Sequence, residues 1–335
     1  MTIWTIEQLH QTKASFIRLL RAMDKDLPKQ SPGESAKITL RNLQTAAALG
    51  VQEVIIVSEN GEAVAIATVR NDEAASIGNA RLLYVVPGVE STVSDMLLQE
   101  VFERVWHNPA IRNFDGQTFV DQPDIRTAFA ARGIQPIARQ NMQLSQLAFR
   151  ADQSVPALPN EFRIAPWWPE PGVSIPDGHL DALSDLILVA YHGTLDEKLY
   201  PGMNTRAGLR QFFENILYDK HSAFDHEASR IIYTTDSTEK MVGQIFCSQT
   251  RARHIFVLEF AIHPAYRRQG LGRILLMNAI RTAADRGLAG VQLGVTMDNP
   301  ARQLYESIGF ESTTHFWVYA GERPEINQES LEENA

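Results

Sequence analysis

Apolar residues recur at helical spacing from Ile6 to Met23 (Leu9, Phe16, Leu19, Leu20, Met23), which predicts a first helix. A polar loop over Asp26–Ser35 and a second helix ending at Gly50 follow. The β-rich runs Val54–Val57 and Val64–Val69 flank Glu59-Asn60-Gly61, and Asn-Gly between such runs predicts a hairpin. A strand at Leu82–Val86, a helix at Val93–Val105, a strand at Thr118–Val120, a helix at Pro123–Ala131 and a strand at Met142–Ala148 complete the first half.

The same order then repeats. Ala151–Pro159, with two prolines, reads as a linker. Helices are expected at Asp181–Tyr191 and Ala207–Asp219, then a hairpin of Ile231–Thr234 and Val242–Cys247. A strand at Val257–Ile262, a helix at Arg273–Arg286, a strand from Val291, a helix from Ala301 and a strand at Thr314–Tyr319 close the chain. A shift of about 176 positions lays Arg126 on Arg302 and Gly133 on Gly309. A repeat of domain length implies two copies of one fold in tandem. The boundaries expected from this are a first domain over 1–150, a linker over 151–160, a second domain over 161–322 and a polar tail over 323–335.

The stretch V-L-E-F-A-I-H-P-A-Y-R-R-Q-G-L-G, Val257 to Gly272, carries the candidate chemistry. An apolar strand runs through a Pro-marked turn into a basic, glycine-rich loop that opens a helix. Glycines let backbone N–H groups approach a ligand closely, and the helix start aims its unpaired N–H groups at the same point. With Arg267, Arg268 and Arg273 around it, the loop predicts a phosphate or pyrophosphate site at the end of a central strand.

The segment Arg267-x-x-Gly270-x-Gly272 resembles the acyl-CoA pyrophosphate loop of the GNAT superfamily of N-acyltransferases. Downstream, Val291 to Phe310 leads from a strand through Asp298-Asn299-Pro300 into a helix with Tyr305 and a closing Gly309-Phe310, similar to the second half of that family's cofactor site. The resemblance covers roughly the C-terminal half. It implies an α+β fold of two tandem GNAT-like domains, each a mixed, largely antiparallel sheet flanked by helices. It also implies acetyl-CoA as acyl donor, no metal, and a small-molecule primary amine as acceptor.

By this resemblance, residues 267–272 (Arg267, Arg268, Gln269, Gly270, Leu271, Gly272) and Arg273 hold the pyrophosphate, and Phe260, Ala261 and Ile262 pair with the pantetheine amides. Arg302 joins the cofactor set, and Asn299 either caps the helix at Pro300 or bonds the cofactor. Tyr305 is the expected general acid for the departing thiolate, since a phenol stays protonated at neutral pH. Glu259 is the expected base; its other role is a buried carboxylate satisfied by a neighbouring Arg or backbone group. Strand alternation places it on the face of Val257 and Ala261. His254 and His192 are alternative bases. His192, Asp196 and Tyr200, in the segment that lines the acceptor pocket in the family, are candidates to bind a cationic amine.

The first half departs from the pattern. Phe129 stands where Tyr305 stands, and the turn P-G-V-E-S-T-V-S-D-M lacks arginine and the second glycine and contains Glu90 and Asp95. Carboxylates there would repel a pyrophosphate, so the first copy is expected not to bind coenzyme A in the usual way. A non-catalytic acyl-CoA-binding or sensing protein is the alternative, with Tyr305 and Glu259 structural.

Composition narrows the classes further. Of 335 residues, 44% are hydrophobic and 21% charged, values of a globular protein with material for two cores. A net charge of −9 argues against a nucleic-acid partner, whose binding rests on neutralising phosphates. No apolar run spans a bilayer, so no membrane is expected. Cys247 is the single cysteine, which excludes an internal disulfide; it is read as a buried strand residue. The first residues lack a basic segment followed by an apolar core, and the expectation is a cytoplasmic monomer or homodimer.

Overall fold

Asn60 and Gly61 both take positive φ (51° and 79°), as a tight hairpin requires, and they join strands β2 (Glu53–Glu59) and β3 (Glu62–Asp72). In the computed structural model, which describes residues 1–4, 9–27, 43–145, 155–167, 175, 178–218, 224–250 and 252–324, that hairpin is the centre of a first compact unit. The unit comprises Met1–Ile137 with Phe316–Ala335; a second comprises Ala138–His315.

In unit 1 the strand order is β1 (Thr2–Trp4), β2, β3, β4 (Ile77–Val85), β5 (Asn113–Thr118) and β12 (Glu311–Glu322). Only β4 and β5 are parallel. Helix α1 (Leu9–Asp26) covers one face with Phe16, Leu19, Leu20 and Met23, the stripe its apolar spacing predicts. Helices α2 (Thr92–His107) and α3 (Pro123–Ala130) cover the other, around Leu97, Val101, Phe114 and Phe129.

Unit 2 repeats this plan. Its order is β7 (Phe162–Pro166), β8 (Arg230–Thr234), β9 (Met241–Gln249), β10 (His254–Ile262), β11 (Gly290–Thr296) and β6 (Pro136–Ser145), again with one parallel pair, β10 and β11. Helices α4 (His179–Tyr191) and α5 (Arg206–Tyr218) pack on one face around Trp167, Phe213 and Phe246. Helices α6 (Leu271–Asp285) and α7 (Ala301–Ile308) pack on the other around Leu275, Ile280 and Val295. The fold is α+β, with the mixed, largely antiparallel sheet expected in each copy.

The units are not the two halves of the chain. The strand that ends the first half, β6, pairs with β11 in unit 2, with Met142 opposite Leu293. The strand that ends the second half, β12, pairs with β5 in unit 1, with Tyr319 opposite Gly116. The expected break at 150/161 therefore differs from the observed partition by one exchanged strand. Both strands are amphipathic and fit either sheet edge by local pattern, so the sequence order suggested the nearer one. The expected strand Met142–Ala148 lies at 136–145; its last residues, 146–148, with 151–154 of the expected linker and 325–335 of the expected tail, fall outside the described residues. The edge strands β1 and β7, of three and five residues, carry too short a pattern to be foreseen.

Gly290 fixes the exchanged strand. Its φ is +148°, and a Cβ there would lie 2.1 Å from the Leu144 carbonyl oxygen and 3.0 Å from the Ser145 Cα of β6. Gly290→Ala is expected to separate β6 from β11 at that end and to destabilise unit 2 by about 2–4 kcal/mol, read by urea denaturation.

Candidate active site

The parallel pair of unit 2 is registered only from His254↔Gly290 to Val257↔Leu293. Beyond Val257 the two strands are no longer paired, and β10 runs on to Ile262 with β9 alone beside it. The His263 N–H donates to the Val242 carbonyl on the β9 side (2.8 Å), so by alternation Ile262 and Phe260 present their backbone groups to the opposite, splayed side. A strand edge of this kind is a docking line for an extended amide-bearing chain. Phe260 and Ile262 thus line the open edge, whereas Ala261 turns its backbone groups to β9.

Along the strand, the register shifts between Val257 and Glu259, with Leu258 as the extra residue. This bulge corrects the expectation from simple alternation. Val257 packs with the α6 core, whereas Leu258 and Ala261 pack with the α4–α5 core, and Glu259 turns to Tyr191 at the end of α4. Glu259 therefore shares its face with Ala261 and not with Val257. A bulge beside a splay re-aims one side chain, here a carboxylate, toward the strand opening.

Glu259 is 7% exposed. Its Oε1 accepts from the Tyr191 hydroxyl and from its neighbour's N–H on Phe260 (3.2 Å). Burial, partly offset by these bonds, pushes its carboxyl up to about 7. Tyr305 on α7 is 6% exposed, with its ring 6.2 Å from that of Phe260. Burial, together with the charges of Asp196 and Glu259, holds its phenol well above the usual value, so it stays protonated. The two candidate catalytic groups are thus brought to one place, both buried.

Around them the chain sets a second layer. Asp196, in a short 3₁₀ turn (Leu195–Lys198), accepts from the Thr296 hydroxyl (2.6 Å) and the Asn299 side-chain amide (2.7 Å). Both its oxygens are engaged with β11 and the following turn. Asn299 also accepts from the Ala301 N–H (2.8 Å), so capping and a bond to Asp196 occupy it. Tyr200 accepts from Arg139 on β6 (2.8 Å). Tyr191, Asp196, Glu197, Tyr200, Met203 and Glu259 line a narrow cavity of about 30 Å³, with room for ordered water. His192 does not join them: its side chain is 85% exposed and meets Glu197 at 3.3 Å. His254 begins β10, at the end far from the loop. Cys247 is wholly buried in β9 and burial pushes its thiol up, as its strand position anticipated.

The loop itself runs through Arg268 (φ 66°) to Gly270 (φ 80°), which caps α6. As at any helix start, the first N–H groups of α6 have no partner within the helix. The helix begins at Leu271, two residues earlier than the apolar spacing suggested, so Leu271, Gly272 and Arg273 form its first turn. A Cβ on Gly272 would approach the Phe260 ring at 3.2 Å and Leu304 at 3.4 Å, so the helix start sits close against the splayed strand. The arginines divide their work. Arg267 donates to the carbonyls of Ala190 (2.7 Å) and Ile262 (3.2 Å), and Arg273 to Ser307 (3.2 Å). Arg302 donates to Met297 (2.8 Å) and pairs with Glu306 (3.1 Å), holding the turn into α7. Arg268 and Gln269 are exposed on the loop.

Three residues of this site were not singled out from the sequence. Tyr191 follows Ile187 by four on the core stripe of α4 and so was legible as a core position with a polar tip. Thr296 ends an apolar strand, and Arg139 lies on the exchanged strand, which sequence order assigned to the other copy. Among the described residues, no three His, Cys, Asp or Glu side chains converge as a metal would need, and no helix is long and apolar enough to cross a membrane. A wider depression of about 590 Å³ opens at the opposite strand ends, where Arg286 bonds Asp225 and Gln249 (both 2.6 Å); it lies away from Glu259 and Tyr305.

Residues 195–310 match the Acetyltransferase (GNAT) family. A stretch of 59 residues is 44% identical to the [ribosomal protein bS18]-alanine N-acetyltransferase of Escherichia coli (strain K12), covering 17% of this chain and 40% of that protein. The chain thus spans well under half the length of the curated relative it matches. In fold it is similar to a GCN5-related N-acetyltransferase from Sphaerobacter thermophilus, with a TM-score of 0.60 over 93% of each chain at 18% identity. It is also similar to a tandem GNAT protein from the clavulanic acid biosynthesis pathway, with a TM-score of 0.50 over 97% of this chain and 99% of that one at 17% identity. Residues 195–310 thus match the acetyltransferase (GNAT) family, and in fold the chain is similar to GNAT structures, as two GNAT-like units in tandem.

Proposed function

We propose that unit 2 transfers an acetyl group from acetyl-CoA to the primary amine of a small molecule by direct attack. The observation that carries this is the placement of a buried carboxyl with a value near 7, Glu259, on the splayed strand that ends in the glycine loop. Acetyl-CoA, when bound, supplies the activated acyl group. The residues that fit it are the strand edge of Phe260–Ile262, the N–H groups at the start of α6, and Arg268 with Gln269 on the loop. Gly272 leaves the room its arm needs.

The remaining chemistry falls to side chains. An amine attacks only when neutral, and Glu259 takes its proton, directly or through a water in the narrow cavity it shares with Asp196 and Tyr200. The Phe260 N–H, which donates to Glu259 here, would be the backbone dipole available to stabilise negative charge developing on the acyl oxygen when acetyl-CoA is bound. Tyr305 holds the proton that the departing thiolate takes up. The carboxylates of Asp196 and Glu259 give the cavity the charge to draw in a cationic amine before it is deprotonated. Tyr305→Phe is expected to lower turnover by roughly ten- to a hundredfold while leaving the affinity for acetyl-CoA unchanged, because a thiolate of pKa ≈ 8.5 leaves with modest help. Steady-state kinetics beside calorimetric titration separates the two quantities.

The match to an enzyme that acts on the alanine of a ribosomal protein favours a second acceptor class, the amine at a protein N-terminus. A panel of small amines and of peptides with free α-amines, with release of free coenzyme A as the readout, tests both. Turnover with small amines supports the first, and turnover with peptides alone supports the second. Acetyl-CoA binding without turnover on either set would leave a sensor in place of an enzyme.

A further inference from the structure

Unit 1 repeats the splay. Its parallel pair is registered only from Ile77↔Asn113 to Ala80↔Gly116, so Arg81–Val85 runs on without β5 beside it. The equivalence extends to single residues. The Val86 N–H donates to the Val64 carbonyl on β3 (2.8 Å), as the His263 N–H does to Val242 on β9 (2.8 Å). Val85 is therefore the counterpart of Ile262, with its amide and carbonyl turned to the splayed side. Each strand also breaks register just upstream, between the partners of Ile66 and Thr68 in unit 1 and between Val257 and Glu259 in unit 2.

In unit 1 that edge is already occupied. Gln122, the residue before the Pro123 that starts α3, is 9% exposed and lays its carboxamide on Val85. The Val85 N–H donates to Gln122 Oε1 (3.0 Å), and Gln122 Nε2 donates to the Val85 carbonyl. One side-chain amide thus makes the two-point pairing that an adjacent strand, or the amide of an extended ligand, would make. In unit 2 the residue before the corresponding turn's proline, Pro300, is Asn299, which is a methylene shorter and turns to Asp196 and its own helix. The other features of the two slots differ in the same sense. Leu82 and Phe129 stand near where Glu259 and Tyr305 stand, and Glu90 and Asp95 lie at the start of α2, with Asp95 paired to Arg132 (2.8 Å).

We propose that the splayed edge of β4 is a slot for an extended amide-bearing chain of the pantetheine class, and that Gln122 is its built-in occupant. The acidic start of α2 disfavours a pyrophosphate, so the slot suits the neutral arm and not a whole nucleotide thioester. Val85 is the reason the occupant stays. Its two backbone groups are turned from water, and without Gln122 they would be buried unpaired. The inference rests on reading the splay of unit 2 as the place of acetyl-CoA.

Hydrogen exchange at the Val85 amide tests it in the full chain, with unit 2 saturated by acetyl-CoA and pantetheine added as the probe. In the unaltered protein the amide is expected to be protected whether or not pantetheine is present. In Gln122→Ala, protection is expected to fall roughly tenfold and to return with millimolar pantetheine. Gln122→Asn, whose amide is a methylene too short to reach Val85, is expected to behave alike and serves if the alanine variant does not fold. Retained protection in the variants, or lost protection that pantetheine does not restore, overturns the proposal. Failure of acetyl-CoA to bind at all overturns it together with the reading of unit 2, whereas acetyl-CoA binding with unresponsive variants overturns it alone.

Discussion

Glu259→Gln is expected to lower acetyl transfer at pH 8 by roughly 10²–10³-fold, the range that a positioned general base contributes. Acetyl-CoA affinity should change little, because the strand edge and the loop are untouched. The pH profile gives the sharper signature. With its carboxyl near 7, Glu259 is protonated and idle below that value, so activity of the unaltered enzyme should fall about tenfold per pH unit below it. The variant should lose that limb. A profile that keeps its limb near 7 in the variant assigns the base elsewhere.

The same substitution carries a stability consequence of opposite sign. The carboxyl has a higher value folded (about 7) than unfolded (4.5), so the folded chain binds more protons between those limits. Stability is therefore fullest below 4.5 and declines as pH rises to about 7, by on the order of 3 kcal/mol. Glutamine has no charge to bury. Glu259→Gln should accordingly be the more stable protein in urea at pH 8 and should lose that advantage by pH 5. An active-site group that weakens the fold at working pH is what a burial imposed for chemistry produces.

Gly272→Asp is expected to abolish acetyl-CoA binding in the range open to calorimetry. Two effects act together. Its Cβ would press the Phe260 ring (3.2 Å) and Leu304 (3.4 Å), narrowing the gap between α6, α7 and β10. Its carboxylate would stand in the first turn of α6, where a pyrophosphate is held by unpaired N–H groups. Like charges ~4 Å apart at a partly buried site oppose one another by about 4 kcal/mol, which is a loss of roughly a thousandfold. Gly272→Ala separates the terms, since it adds the Cβ without the charge and should lose no more than about tenfold. The unaltered chain should bind one acetyl-CoA. Binding of two would mean that Gln122 does not close unit 1.

Much of this was legible in the chain. The hairpin at Asn60-Gly61, the helix faces of α1 and α2, and the two loop motifs each rest on a local rule, and local rules survive translation into structure. The repeat was legible because Pro123–Ile134 and Asn299–Phe310 read alike, with Arg126 on Arg302 and Gly133 on Gly309. Less was legible at the site. Tyr191, Thr296 and Arg139 reach it from three elements far apart in sequence. The face of Glu259 was misjudged because a bulge adds a residue that period-2 counting cannot see. Asn299 makes the cap that was one of its two expected roles, but its bond to Asp196, like the Met297 carbonyl that engages Arg302, is a partnership no motif encodes.

The sequence by itself determined the α+β plan, the tandem repeat, the glycine loop at the end of β10, and the loss of Tyr305 and the basic turn from the first copy. These follow from the pattern of side chains along short segments. Only the tertiary structure decided three things: which sheet takes β6 and which β12, which way Glu259 faces, and what fills the splay of unit 1. The first two depend on backbone hydrogen bonds between segments distant in the chain, made by N–H and C=O groups that nearly every residue carries. The third depends on one side-chain amide meeting such groups on a distant strand, so none leaves a mark in the order of side chains.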